Sequence, residues 1–246
     1  MHRPNFWRSQ SQESAAHSAS DKRLAASPSA GPAYWRQQRR DMVRHQLMPR
    51  GIRDSRVLKA MLTVPRHQFV AEGDRDRAYQ DGPLNIGQGQ TISQPYIVAY
   101  MTEQAAIQPD DTVLEIGTGC GYQTAILATL ARWVYSVEIV ERFVQPTRNR
   151  LRQLGYDNVS IRHGNGYEGW AEHAPYDVVL VAAAPPTIPQ PLIEQLAMGG
   201  RLVMPVGEAA QTLQVLTKSP AGMAIGDQIP VRFVPMVNDV ADKPAD

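Results

Sequence analysis

Three glycines alternate with other residues in Gly117-Thr118-Gly119-Cys120-Gly121, directly after the apolar run Val113-Leu114-Glu115-Ile116. Glycine lets the backbone turn sharply and brings main-chain amides close to a ligand that a Cβ would hold off. A strand entering such a turn and a helix leaving it form the setting of a nucleotide-binding loop. The spacing is Gly-x-Gly-x-Gly, not Gly-x-Gly-x-x-Gly. It suits the amino-acid end of S-adenosylmethionine better than a pyrophosphate. Glu138 follows about 20 residues on, at the end of the next apolar run, where a carboxylate can accept from both hydroxyls of a ribose. Gly164-Asn165-Gly166 ends a third run, beside the adenine end of such a pocket. Gly117, Thr118, Gly119, Gly121, Glu138, Asn165 and Gly166 thus read as one cofactor site. The blander alternatives are a helix cap for Glu138 and a plain turn at Gly164 and Gly166.

No Ser/His/Asp or Cys/His constellation is evident elsewhere. His67 and His163 stand alone and read as structural hydrogen-bonding residues. Cys120 reads as a small packing residue inside the glycine loop, since a nucleophilic thiol needs partners that lower its pKa. No His/Cys/Asp cluster has metal-ligand spacing, so no metal is expected.

The elements that must position these residues follow from periodicity. Apolar residues at helical spacing predict helices over 34–48 and 54–63. The second has Asp54 as N-cap and Val57, Leu58, Met61 and Leu62 as its buried stripe. Residues 72–89 are rich in Gly, Pro and Asp, lack a clear period and read as a long loop, functional or disordered. Regular alternation begins after Gln94, with helix 95–106, strand 112–116, helix 123–131 and strand 133–138. Helix 141–154, strand 159–163, strand 177–182, helix 190–196 and strand 201–205 continue it. Wholly apolar strands such as Val178-Val179-Leu180-Val181 signify a parallel sheet covered on both faces. From Gln211 onward strand follows strand, including Val231 to Val234, which predicts an antiparallel end to the sheet. The expected fold class is α/β, a doubly wound, mostly parallel sheet with an N-terminal helical extension.

The chain has 246 residues, 43% hydrophobic and 20% charged, with 25 basic against 24 acidic side chains. At that length folding buries about 70% of the extended surface, ample for a core. A net charge of +1 gives no electrostatic drive toward nucleic acid. A single cysteine excludes an internal disulfide, and no apolar run approaches the ~20 residues of a membrane span. The expectation is a cytoplasmic protein, a monomer, with no nucleic-acid or membrane partner. Residues 1–33, rich in Ser, Ala and Gln, read as a disordered leader whose basic residues (Arg3, Arg8, Lys22, Arg23) form a solvated tail in preference to a weak targeting or binding signal. Residues 34–93 form a helical and loop segment packed on the core, and 94–246 the cofactor-binding core with C-terminal substrate strands.

The phrase Leu84-Asn85-Ile86-Gly87-Gln88-Gly89-Gln90-Thr91-Ile92-Ser93-Gln94-Pro95 is too particular for a generic loop. Together with Val113 to Ala125, Val231-Arg232-Phe233-Val234-Pro235-Met236, Val64-Pro65-Arg66 with Phe69-Val70, Ala78-Tyr79 and Pro205-Val206-Gly207, it resembles the protein-L-isoaspartate O-methyltransferases. The resemblance spans about 41–237; the leader has no counterpart. It implies a Rossmann-like, S-adenosylmethionine-dependent methyltransferase that esterifies the free α-carboxylate of L-isoaspartyl residues in damaged proteins. Ser93 matches the family's active-site serine. Thr91, Ile92, Val231 and Phe233 would contact the substrate. Asn165 departs from the family's usual Asp; its carbonyl can still accept a hydrogen bond, without the charge. From its local sequence alone, Ser93 before Gln94-Pro95 reads first as an N-cap. A carboxylate with a pKa near 4 needs no general base, which agrees with the missing triad. A related methyltransferase acting on RNA or a small molecule, and a non-catalytic S-adenosylmethionine-binding module, are the competing readings.

Overall fold

The computed structural model describes residues 31–239; the expected leader, apart from its last three residues, lies outside them. Helix α1 (Pro32–Met42) runs through a π turn and a 3-10 turn to Gly51, and α2 (Ser55–Thr63) follows. Asp54 caps α2 as expected, accepting from the Arg56 and Val57 N–H groups at 2.7 and 3.4 Å. The buried face of α2 is Val57, Ala60 and Met61. Leu62, predicted inside, is 39% exposed because it falls on the far side of the turn.

The stretch read as a structureless loop is built. It holds a 3-10 helix over Glu72–Arg77 and an antiparallel hairpin of β1 (Leu84–Gly87) and β2 (Gln90–Ile92). Each strand buries one side chain, Leu84 or Ile92, so no period of two emerges from the sequence.

Beyond it come α3 (Pro95–Ala105), β3 (Thr112–Ile116), α4 (Tyr122–Ala128), β4 (Trp133–Glu138), α5 (Glu141–Gln153) and β5 (Val159–His163). The chain then returns through β6 (Tyr176–Val181), α6 (Gln190–Glu194), β7 (Leu196–Val206), β8 (Gln211–Ser219) and β9 (Gly222–Val231). The sheet order is β5-β4-β3-β6-β7-β8-β9. The first five strands are parallel, and β8 and β9 join antiparallel, as the pattern after Gln211 implies. The predicted strand through Val234 stops at Val231. Residues 232–234 leave the sheet, and Pro235 bridges Ala184 instead.

Alternate residues of the central strands serve two apolar layers. Val113, Val178, Leu180 and Val203 face Met101 of α3 and Leu127 of α4, while Leu114, Ile116, Val179 and Leu202 face Leu192 of α6. Each such side chain contributes about 1.5–3 kcal/mol on burial. The N-terminal extension shares its core with the sheet domain: Met61 and Phe69 pack in one cluster with Tyr122, Ile126 and Leu151. The strand order reverses between β3 and β6, which opens a crevice at their carboxyl ends, the ligand position of doubly wound sheets.

Candidate functional site

The chain leaves β3 at Ile116 and makes its turn through Gly117, Gly119 and Gly121, at φ +95°, +51° and +87°. Gly121 shows why glycine is required. A Cβ there would lie 2.6 Å from Thr147 Cγ2 of α5, in a backbone conformation that L residues rarely adopt. The loop is tied down by Glu138 at the end of β4. Its Oε2 accepts from the Gly119 N–H at 2.7 Å and its Oε1 from the Val140 N–H at 2.8 Å. The carboxylate predicted to hold a ribose is therefore also a structural brace between the glycine loop and β4.

Beneath the loop lies a group that the sequence reading passed over. Glu115, fully buried on β3, accepts from Thr124 Oγ1 and Ser136 Oγ, each at 2.6 Å, through the same oxygen, Oε2. Ser136 Oγ in turn meets Thr118 Oγ1 at 2.6 Å. Thr118 thus directs its hydroxyl under the loop. Burial pushes the Glu115 carboxyl up to about 8, although the two hydroxyl donors act in the opposite sense. The signal was present as one acid inside an otherwise apolar, buried strand.

The cleft above the loop encloses about 940 Å³, counted to its open mouth. Gly117, Thr118, Gly119, Glu138 and Gly166 line it, with Ile116, Ile139 and Met236 as apolar walls. Thr91, Ile92, Ser93 and Phe233 line its other side. A Cβ on Gly166 would lie 2.3 Å from Ile116 Cγ2 and 2.9 Å from Met236 Cε, so that wall closes only over a glycine. Gly121 and Asn165 do not line the cleft. Asn165 caps a 3-10 turn, its Oδ1 accepting from the Tyr167 N–H at 2.9 Å. Cys120 both packs and lines the cleft, and burial pushes its thiol pKa up. His67 and His163 bond Tyr79 Oη and the Ile139 carbonyl, at 2.7 and 3.1 Å.

A second groove adjoins the first. It is lined by Arg50, Tyr96, Val231 and Arg232 and shares Thr91, Ser93, Ala182, Phe233 and Val234 with the cleft. Ser93 stands at this junction. The cap reading of Ser93 is overturned: α3 begins at Pro95, its N-cap is Gln94, and no side chain caps it. Ser93 thus stands one residue before the cap position, from which a side chain accepts the second or third helical N–H. Among the described residues the Ser93 hydroxyl makes no hydrogen bond, and no group of three or more His, Cys, Asp or Glu side chains is placed to hold a metal. No helix among them is long and apolar enough to cross a membrane.

A family model described as protein-L-isoaspartate(D-aspartate) O-methyltransferase matches residues 37–241. The protein-L-isoaspartate O-methyltransferase of Synechococcus sp. (strain JA-2-3B'a(2-13)) is 57% identical over 208 residues, covering 81% of this chain and 85% of its own. That of Gloeobacter violaceus is 52% identical over 200 residues, covering 80% and 98%. A solved protein-L-isoaspartate O-methyltransferase superposes with a TM-score of 0.75 at 27% identity, covering 82% of this chain and 67% of the other. A second solved structure, a Plasmodium falciparum protein of the same description in complex with S-adenosyl-L-homocysteine, gives 0.70 at 25% identity, covering 83% and 99%.

Proposed function

From a chain that belongs to the protein-L-isoaspartate O-methyltransferase family, we propose a division of labour within the site: the glycine-loop cleft holds the methyl donor, the groove beyond Ser93 holds the acceptor, and Ser93 aligns the two. The protein transfers a methyl group from S-adenosylmethionine to the α-carboxylate of L-isoaspartyl residues, the first step in repairing such damage. The observation that carries the division is the free Ser93 hydroxyl at the junction of cleft and groove.

The residues present fit the donor. Gly119 and Gly166 keep two walls free of side chains, Ile116, Ile139 and Met236 offer an apolar slot, and Glu138 brings a carboxylate. Both oxygens of Glu138 accept a main-chain N–H, and a carboxylate, with about four lone-pair sites, can accept a hydroxyl as well. Bound there, S-adenosylmethionine supplies a methyl group already activated by its sulfonium. The acceptor is ionised at neutral pH, so the protein has no proton to remove. Its remaining task is orientation, which alone can lower a barrier by about 7–11 kcal/mol. The Ser93 hydroxyl donates to one carboxylate oxygen and leaves the other free to attack. Thr91 and Phe233 flank this point, and Val231 lies further along the groove. Ile92, 4% exposed, faces the donor side only and supports the turn that presents Ser93. Both compartments are lined by one chain, so we read a single chain as the working unit.

The test is methylation of an isoaspartyl peptide against the matching aspartyl peptide, with donor binding followed by calorimetry. Preference for the isoaspartyl peptide is expected. Donor binding without that preference would reduce the protein to a binding module or redirect it to another acceptor.

A further inference from the structure

Arg66 has no exposed surface, and no acid among the described residues answers its charge. Its Nε donates to the Ala78 carbonyl at 2.7 Å and its Nη2 to the Ser93 carbonyl at 2.8 Å, while Nη1 makes no hydrogen bond. The guanidinium carbon sits 4.8 Å from the centre of the Tyr122 ring, the first residue of α4 after the glycine loop. The ionisable side chains that act on it are Tyr122, Cys120 and Tyr79, and burial pushes each of these pKa values up, so all three are neutral at pH 7. No ion pair of the described residues includes Arg66. Burying a charge without a counter-charge costs several kcal/mol, and a neutral side chain could tie the same two carbonyls without that cost.

We propose that Arg66 is a positioning residue for methyl transfer: it fixes the main chain of Ser93 and supplies the positive potential that the acceptor carboxylate neutralises on binding. The inference rests on the activity given above and adds to it the source of the site's preference for an anion. Ser93 is the link, held through its carbonyl by Nη2 on one side and offering a free hydroxyl to the groove on the other. Arg66 itself is wholly buried, and a unit charge in such surroundings is screened far less than one in water. The cation over Tyr122 also ties the serine to the start of the glycine-loop helix, so one side chain sets the spacing of acceptor and donor compartments.

The experiment uses the full chain saturated with S-adenosylhomocysteine and two peptides, one isoaspartyl and one with its α-carboxylate replaced by carboxamide. Calorimetry gives the ratio of their affinities. Wild type is expected to favour the acid. Arg66→Met should shrink that ratio roughly tenfold, with S-adenosylhomocysteine affinity within about twofold of wild type. Arg66→Lys keeps the charge and loses the fork. It should hold the ratio within about threefold of wild type while turnover falls, and it carries the test if Arg66→Met does not fold by circular dichroism. An unchanged ratio in Arg66→Met, or a ratio lost in the Lys variant, overturns the proposal and leaves Arg66 a structural tie. Wild type that methylates isoaspartyl and aspartyl peptides equally would overturn the activity itself, an outcome distinct from either.

Discussion

The side-chain amide of Gln211 brackets the main chain of Phe233: its Oε1 accepts from the Phe233 N–H at 2.6 Å, and its Nε2 donates to the Phe233 carbonyl at 3.1 Å. The first residue of β8 thus stands in for the strand partner that Phe233 loses where the chain leaves the sheet.

Gln211→Ala should therefore loosen the groove wall more than the cleft. Two hydrogen bonds worth about 0.5–1.5 kcal/mol each are lost, and the peptide KM should rise several-fold. The KM for S-adenosylmethionine should change by less than about twofold, because the donor wall is also anchored by Tyr167 Oη on the Met236 carbonyl and by the Ala184 main chain. Initial rates with each substrate varied in turn decide it; equal changes in both constants would contradict this division.

Ser93→Ala should lower kcat by roughly 10- to 200-fold, the worth of one hydrogen bond to a charged group. Donor affinity should stay the same. Since Ser93 is not the cap of α3, stability should shift by less than the ~1 kcal/mol of a lost cap. Turnover, calorimetry and urea melts on one preparation separate these effects.

Glu138→Ala should weaken donor binding by about 1.5–3 kcal/mol and also lower stability, because the Gly119 and Val140 N–H groups lose their acceptor. Glu138→Gln should rescue little. Its amide offers one acceptor where two N–H donors converge, and its NH₂ meets the second head-on. Calorimetric affinity alongside a denaturant melt checks both halves.

Glu115 is protonated in the folded protein up to about pH 8, against about 4.5 when unfolded. The folded state therefore binds the extra proton between those values. The resulting stability is fully present below the unfolded pKa and lost as pH rises through 8. Glu115→Gln, neutral throughout, should show a shallower fall in Tm between pH 6 and pH 9 than wild type. Parallel falls would mean that the carboxyl is ionised in the fold.

Much of this architecture is written in the chain at short range. Val178 to Val181 can only be a strand covered on both faces, Asp54 announces α2, and the glycine loop marks the crevice at the end of β3. What escaped depends on partners distant in sequence. The hairpin of β1 and β2 buries just Leu84 and Ile92, so its pattern dissolves among Gly87, Gly89 and polar neighbours. Val231 to Val234 have strand composition, yet Gln211 captures Phe233 and Ala184 captures Pro235, drawing the segment across the crevice. Glu115 was visible as an oddity, but its meaning needed Ser136 and Thr124. Ser93 looked like a cap because capping is judged locally, and only the start of the folded helix at Pro95 puts Ser93 one residue outside the cap position.

Among the described residues, cleft and groove share one neck, formed by Thr91, Ser93, Ala182, Phe233 and Val234. Among the described residues neither the neck nor the glycine loop offers a covalent relay for the methyl group: the Ser93 hydroxyl has no base hydrogen-bonded to it, and the loop's Cys120 thiol is held protonated by burial. Both reactants must then be present together. Double-reciprocal rate plots should intersect instead of running parallel. A methyl group made chiral with hydrogen isotopes should arrive on the ester with its handedness inverted once.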